Sequence, residues 1–149
     1  VMALAGCITQ GPPVDSLGKT PQQVLEETYT LILQGQYARA QANFSPQFIR
    51  DLITNNNSTF IEYCARTRNW RPRGLKTTLL GNSFNDNLWR IKLTAVDGKD
   101  GQDRTDIIHD LYMVDGKWTI VFWGDYQHAF DMHEPDPRYG KKSASLSIQ

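Results

Sequence analysis

At 149 residues the chain falls in the common single-domain range, long enough to bury a core and too short for two. Sixteen basic and sixteen acidic side chains cancel, which argues against a global field that would recruit nucleic acid or an anionic membrane. Beyond the first residues, no stretch approaches the apolar length needed to span a bilayer.

The chain opens on an apolar run ending in Leu4-Ala5-Gly6-Cys7. Small residues followed by cysteine resemble the lipobox of a bacterial lipoprotein signal, in which the thiol takes a lipid and the upstream peptide is removed. The resemblance implies a signal-peptide remnant over 1–6, lipidation at Cys7, and a place in the bacterial cell envelope facing the periplasm or the cell surface. The alternative is a buried apolar N-terminus ending in a core cysteine. A lipidated Cys7 would leave Cys64 without a disulfide partner, and Phe60 and Ile61 place Cys64 on an apolar helical face rather than in a nucleophile's setting.

Residues 7–19 carry Gly11, Pro12, Pro13, Ser16 and Gly18, a composition that predicts a semi-extended tether. Thr20-Pro21-Gln22-Gln23 then starts a helix, with Thr20 as cap, Pro21 at the first position and Gln23 reaching back. Its inward stripe is Val24, Thr28, Leu31 and Ile32, and Gly35 stops it. Tyr37 to Asn43 reads as a short second helix. Ser45-Pro46 opens a third with Phe48, Ile49, Leu52 and Ile53 inward, broken by Asn55-Asn56-Asn57. Thr59 with Glu62 caps a fourth carrying Phe60, Ile61 and Cys64, and Arg68 to Gly74 is a loop.

From there the period changes. Strands are predicted at Leu75–Leu80, Leu88–Val96, Thr105–Val114 and Lys117–Trp123, the last two joined by Asp115-Gly116, a strong hairpin signal. Helices first and an antiparallel meander after them give an α+β fold, with the helices on one face of a curved sheet. The domain spans 20–124, and 125–149 forms a polar C-terminal extension. Trp89, Trp118 and Phe122 fall at alternate strand positions and read as core.

The Thr-Pro-Gln-Gln helix start, the Gly-Gln-Tyr-Ala-Arg-Ala second helix, the Ser-Pro third helix and the closing Tyr-Met-Val-Asp-Gly-Lys-Trp-Thr-Ile resemble the nuclear transport factor 2-like superfamily. Within it, the chain is similar to small bacterial lipoproteins with a cystatin-like domain. The match covers about Thr20 to Trp123, and it implies a cone in which a bent sheet wraps the first long helix around a pocket. Enzymes of that superfamily keep an acid and a hydrogen-bonding Tyr or second acid there.

Asp106, Asp110 and Tyr112 share one face of a predicted strand and are the pocket candidates, with His109 on the opposite face. A solvated face is the ordinary place for such carboxylates, and a sheet pocket would instead be lined by Ile107, Leu111 and Met113. No residue is assigned as catalytic and no cofactor is implied. The cluster Asp125, His128, Asp131, His133 and Glu134 has donors for a divalent metal but lies beside Pro135 and Pro137 in a tail-like region, so no metal site is assigned.

Arg66, Arg68, Trp70, Arg71 and Arg73 form a local basic patch around an aromatic, the residue types that carry interface hot spots. The alternative is a solvated loop with Trp70 folded onto the core. The favoured function is accordingly a membrane-anchored, non-enzymatic factor that binds an envelope protein or component, in an accessory, assembly or immunity-type role. The alternative is a small-molecule carrier or enzyme using the cone pocket. An exposed Trp70 over a filled cone favours the first, and an apolar pocket with converging polar groups favours the second.

Overall fold

The structure, a computed structural model, describes residues 11–83, 86–96 and 103–121. The expected lipidation residue Cys7, Phe122 and the cluster from Asp125 to Glu134 lie outside them.

Each long helix begins where a side chain takes up its first free N–H groups. In α1 (Pro21–Leu33), Thr20 Oγ1 accepts from the Gln23 N–H while Gln23 Oε1 accepts from the Thr20 N–H, and Pro21 occupies the first turn. The chain leaves α1 through Gly35 at φ +81°, a conformation that favours glycine. The short α2 (Tyr37–Gln41) follows. In α3 (Pro46–Asn56), Ser45 Oγ accepts from the Phe48 N–H, and the helix ends as Asn57 turns left-handed. A second capping box, Thr59 with Glu62, opens α4 (Phe60–Arg68).

Strands β1 (Gly74–Ser83), β2 (Leu88–Val96), β3 (Asp103–Val114) and β4 (Lys117–Val121) form one antiparallel sheet in chain order. A bulge between Leu79 and Gly81 interrupts the β1–β2 register, a feature that bends the strand carrying it. Asp115 and Gly116 both take positive φ, so the β3–β4 turn twists with its strands. The far edge of β4 is covered by the α2–α3 connection. Ser45 N–H donates to the Ile120 carbonyl, and Ile120 N–H to that of Asn43.

The core lies between α1 and the inner face of the sheet. Val24, Leu25, Tyr29 and Ile32 meet Trp89, Ile91 and Leu93 of β2, Leu111 of β3, and Trp118 and Ile120 of β4, with Phe44, Phe48, Leu52 and Phe60 closing one end. At roughly 1.5–3 kcal/mol for each large apolar side chain removed from water, this cluster is the main source of stability. Cys64 lies fully buried within it as a free thiol.

Three expectations change. Ile53 and Ile61 point outward, 55% and 64% exposed, because the buried rows run Phe48–Leu52 and Phe60–Cys64–Thr67, one step round each helix from them. The tether is docked over its second half: the Trp118 indole N–H donates to the Pro13 carbonyl at 3.0 Å, and the Ser16 N–H to that of Gly116 at 2.8 Å. Asp15 is the hinge of this contact, accepting from the backbone N–H groups of Leu17, Lys19 and Trp118. Burial works against its carboxylate, but those N–H groups outweigh it and hold the pKa below the usual range.

Candidate ligand cavity

Asp110 of β3 pairs with Val121 of β4, and α3 and α4 pass over β3 from Ile107 to Asp110. The result is a cavity of about 670 Å3. Phe48 and Leu52 of α3 and Ile107, Ile108 and Val121 of the sheet supply its apolar wall. Tyr63 and Arg66 of α4, His109 of β3 and the Arg90–Asp110 pair supply the polar groups.

Behind the wall runs a buried chain of neutral groups. The Tyr63 hydroxyl is hydrogen-bonded to that of Tyr29, whose oxygen lies 2.6 Å from His109 Nε2. Tyr29 comes from the middle of α1 and is fully buried, while Phe44 and Phe48 pack their rings near the His109 imidazole. Burial pulls the His109 pKa down to about 4 and pushes Tyr63 up to about 12, and burial with the neighbouring Tyr63 lifts Tyr29 well above the phenol range. At neutral pH all three are uncharged. With Nε2 engaged by Tyr29, Nδ1 of His109 has no partner among the described residues.

The pocket candidates do not converge. They share the outer face, but two residues of strand advance about 6.6 Å, so Asp106 and Asp110 stand roughly 13 Å apart. Asp106 is exposed and accepts from Thr94 Oγ1 at 2.7 Å. Tyr112 is half-buried, opposite Leu88 and Thr119. Asp110 alone reaches the cavity, and there it is held by Arg90, whose Nε and Nη2 donate to its two oxygens at 2.8 and 3.0 Å. Burial raises its pKa against the pull of that guanidinium. Of the inner-face residues expected to line a pocket, Ile107 does so, while Leu111 and Met113 are taken up by the core.

The arginine patch also divides. Arg66 lines the cavity and donates to Ser58 Oγ. Arg68 and Arg71 line a separate cleft, and Arg73 is exposed, its N–H joined to the Val96 carbonyl. Trp70 is half-buried and stacks on Tyr29 with ring centroids 6.3 Å apart, so it packs against the core instead of standing free. Two residues along a helix turn a side chain by about 200°, which sends Arg66 and Arg68 to opposite sides.

Sequence reasoning missed Tyr29 and Tyr63. The available signal was His109 on an otherwise apolar strand face, since a buried imidazole requires a hydrogen-bonding partner. Burial pushes the Cys64 thiol up to about 12, which suits its reading as core. Among the described residues no group of His, Cys, Asp and Glu could hold a metal, and no helix is long and apolar enough to cross a membrane.

No family model matches the chain, and a search of curated proteins finds no relative. Among solved structures it is similar to a Campylobacter jejuni protein described as a candidate NTF2-like transpeptidase, with a TM-score of 0.51 and 10% identity over 70% of this chain and 99% of that one. At that identity the likeness carries the fold alone: an NTF2-like α+β domain.

Proposed function

We propose that this NTF2-like domain is a binding module for a small, largely apolar molecule carrying a hydrogen-bonding group. The observation that carries the reading is the cavity between α3, α4 and β3, apolar over most of its wall and backed by the neutral Tyr63–Tyr29–His109 chain. Binding without chemistry fits the protonation of that chain, because an imidazole with a pKa near 4 is a weak base, and phenols whose pKa burial raises, Tyr63 to about 12, do not ionise at neutral pH.

The direct test is a fluorescence titration with anilinonaphthalene sulfonate, an apolar aromatic bearing one anionic group. Saturable enhancement is expected, and Ile108→Trp, at an exposed position on the cavity wall, should remove it without changing the melting temperature. Equal enhancement in the variant would overturn the reading.

Attachment to the envelope membrane through a lipid on Cys7 belongs to the same proposal and rests on the Leu4-Ala5-Gly6-Cys7 sequence. Cys7→Ser should move the protein out of the membrane fraction; unchanged retention would refute the anchor.

A further inference from the structure

On the other side of α4 from the cavity, Leu33, Tyr37, Ala65, Arg68, Asn69, Arg71 and Pro72 enclose a cleft of about 540 Å3 between the ends of α1 and α4 and the start of α2. We infer that this cleft is an oxyanion site, taking a carboxylate or phosphate group of a small molecule between the guanidiniums of Arg68 and Arg71.

Both arginines are placed by backbone that is itself pinned. Arg68 Nε donates to the Leu33 carbonyl at 3.2 Å, one of the acceptors left open at the end of α1. Its guanidinium lies over Gly35, where an added Cβ would come within 3.2 Å of Nη1. The glycine therefore serves the turn and clears room for the arginine. Arg71 holds φ +47°, unusual for a residue with a side chain, and its N–H is tied to the Arg68 carbonyl. Between them Trp70, stacked on Tyr29, fixes the turn to the core.

Among the described residues no carboxylate answers this charge. No Asp or Glu lines the cleft, and neither guanidinium has a carboxylate partner among the described residues. Tyr37 and Asn69, residues that carry a hydroxyl and an amide donor, also line the cleft. In a protein of zero formal net charge, two planar forks in a concave polar pocket form a local positive potential shaped for paired oxygens. The site does not depend on the cavity reading, since it lies across α4 and shares no lining residue with it.

The test is a titration of the 15N-labelled protein with sodium phosphate and, separately, sodium citrate, ionic strength being held constant with sodium chloride. Saturable shifts are expected at the amides of residues 68–71 and at Tyr37, and the tighter of the two titrants identifies phosphate or carboxylate as the group taken. Arg71→Gln, at an exposed side chain, should weaken binding by about tenfold or more. Arg66→Gln, on the cavity side, should leave it unchanged. Linear shifts with both anions, or equal binding by Arg71→Gln, would overturn the assignment. Should Arg68→Gln fail to fold, Arg71→Gln decides alone, and Ile108→Trp, which blocks the cavity, should bind anion as the wild type does.

Discussion

His109 and Asp110 are neighbours in β3 and both are buried, yet they solve burial in opposite ways. His109, on the inner face, gives up its charge and joins two phenols. Asp110, on the outer face, is enclosed with its own countercharge, the two-pronged Arg90. The inner face is walled by aromatic and aliphatic side chains in which an ion would be severely destabilised, so only neutral hydrogen bonding is tolerated there. The outer face keeps Arg90 partly in water, and a paired charge survives.

The largest effect should come from separating the charged pair. Arg90→Leu would leave the Asp110 carboxylate buried alone and should cost about 3 kcal/mol in denaturant unfolding, discounted from the upper range because Arg90 is partly exposed. The double change Arg90→Leu with Asp110→Leu should recover most of that loss. A cost below about 1 kcal/mol for the single change would show Asp110 to be solvated and erase the contrast.

Acid should reveal the neutral member. The folded pKa of His109 is depressed to about 4 from an ordinary 6.5, so between those values the unfolded chain binds a proton that the folded chain refuses. This contribution is present above pH 6.5 and is lost as the pH falls toward 4, by up to about 3 kcal/mol. Asp110 acts with the opposite sign: its raised pKa makes the folded state take up a proton first near the acidic end, which offsets part of the loss. In His109→Gln, the fall in melting temperature between pH 7 and pH 5 should be shallower than in the wild type; an unchanged slope would place the imidazole in water.

Tyr29→Phe, which removes the shared hydroxyl and leaves Tyr63 and His109 without it, should cost about 1–3 kcal/mol with the apolar packing intact. The smallest effect belongs to Asp106→Asn. That carboxylate shares the face of Asp110 but is exposed, and the change should stay within about 0.5 kcal/mol by thermal unfolding.

The contrast also marks what could be read from the sequence. Caps at Thr20, Ser45 and Thr59, the stop at Asn57 and the Asp115-Gly116 turn were legible because each is settled by residues within four positions. The alternation that set His109 and Asp110 on opposite faces was equally local. Their partners were not: Arg90 reaches Asp110 across a strand register, and Tyr29 meets His109 from eighty residues away. The arginine patch was legible as composition, but the helix turn that divides Arg66 from Arg68 mattered more than their closeness in sequence. The docked stretch at Pro13 to Lys19 was hidden for another reason, since its main acceptor is a backbone carbonyl, which every residue carries.

That docking sets the geometry of any anchorage. Five residues separate Cys7 from Pro13, and the six Cα-to-Cα steps between the two reach about 20 Å at full extension. With an acyl chain on Cys7, the leash is therefore much shorter than the residues before the first helix suggest, because it is moored at the β3–β4 hairpin rather than at Thr20. On the proposed anchorage the hairpin would be the end of the domain nearest the bilayer, and lateral tugging on the lipid would pass to the Trp118 indole and thence to the core.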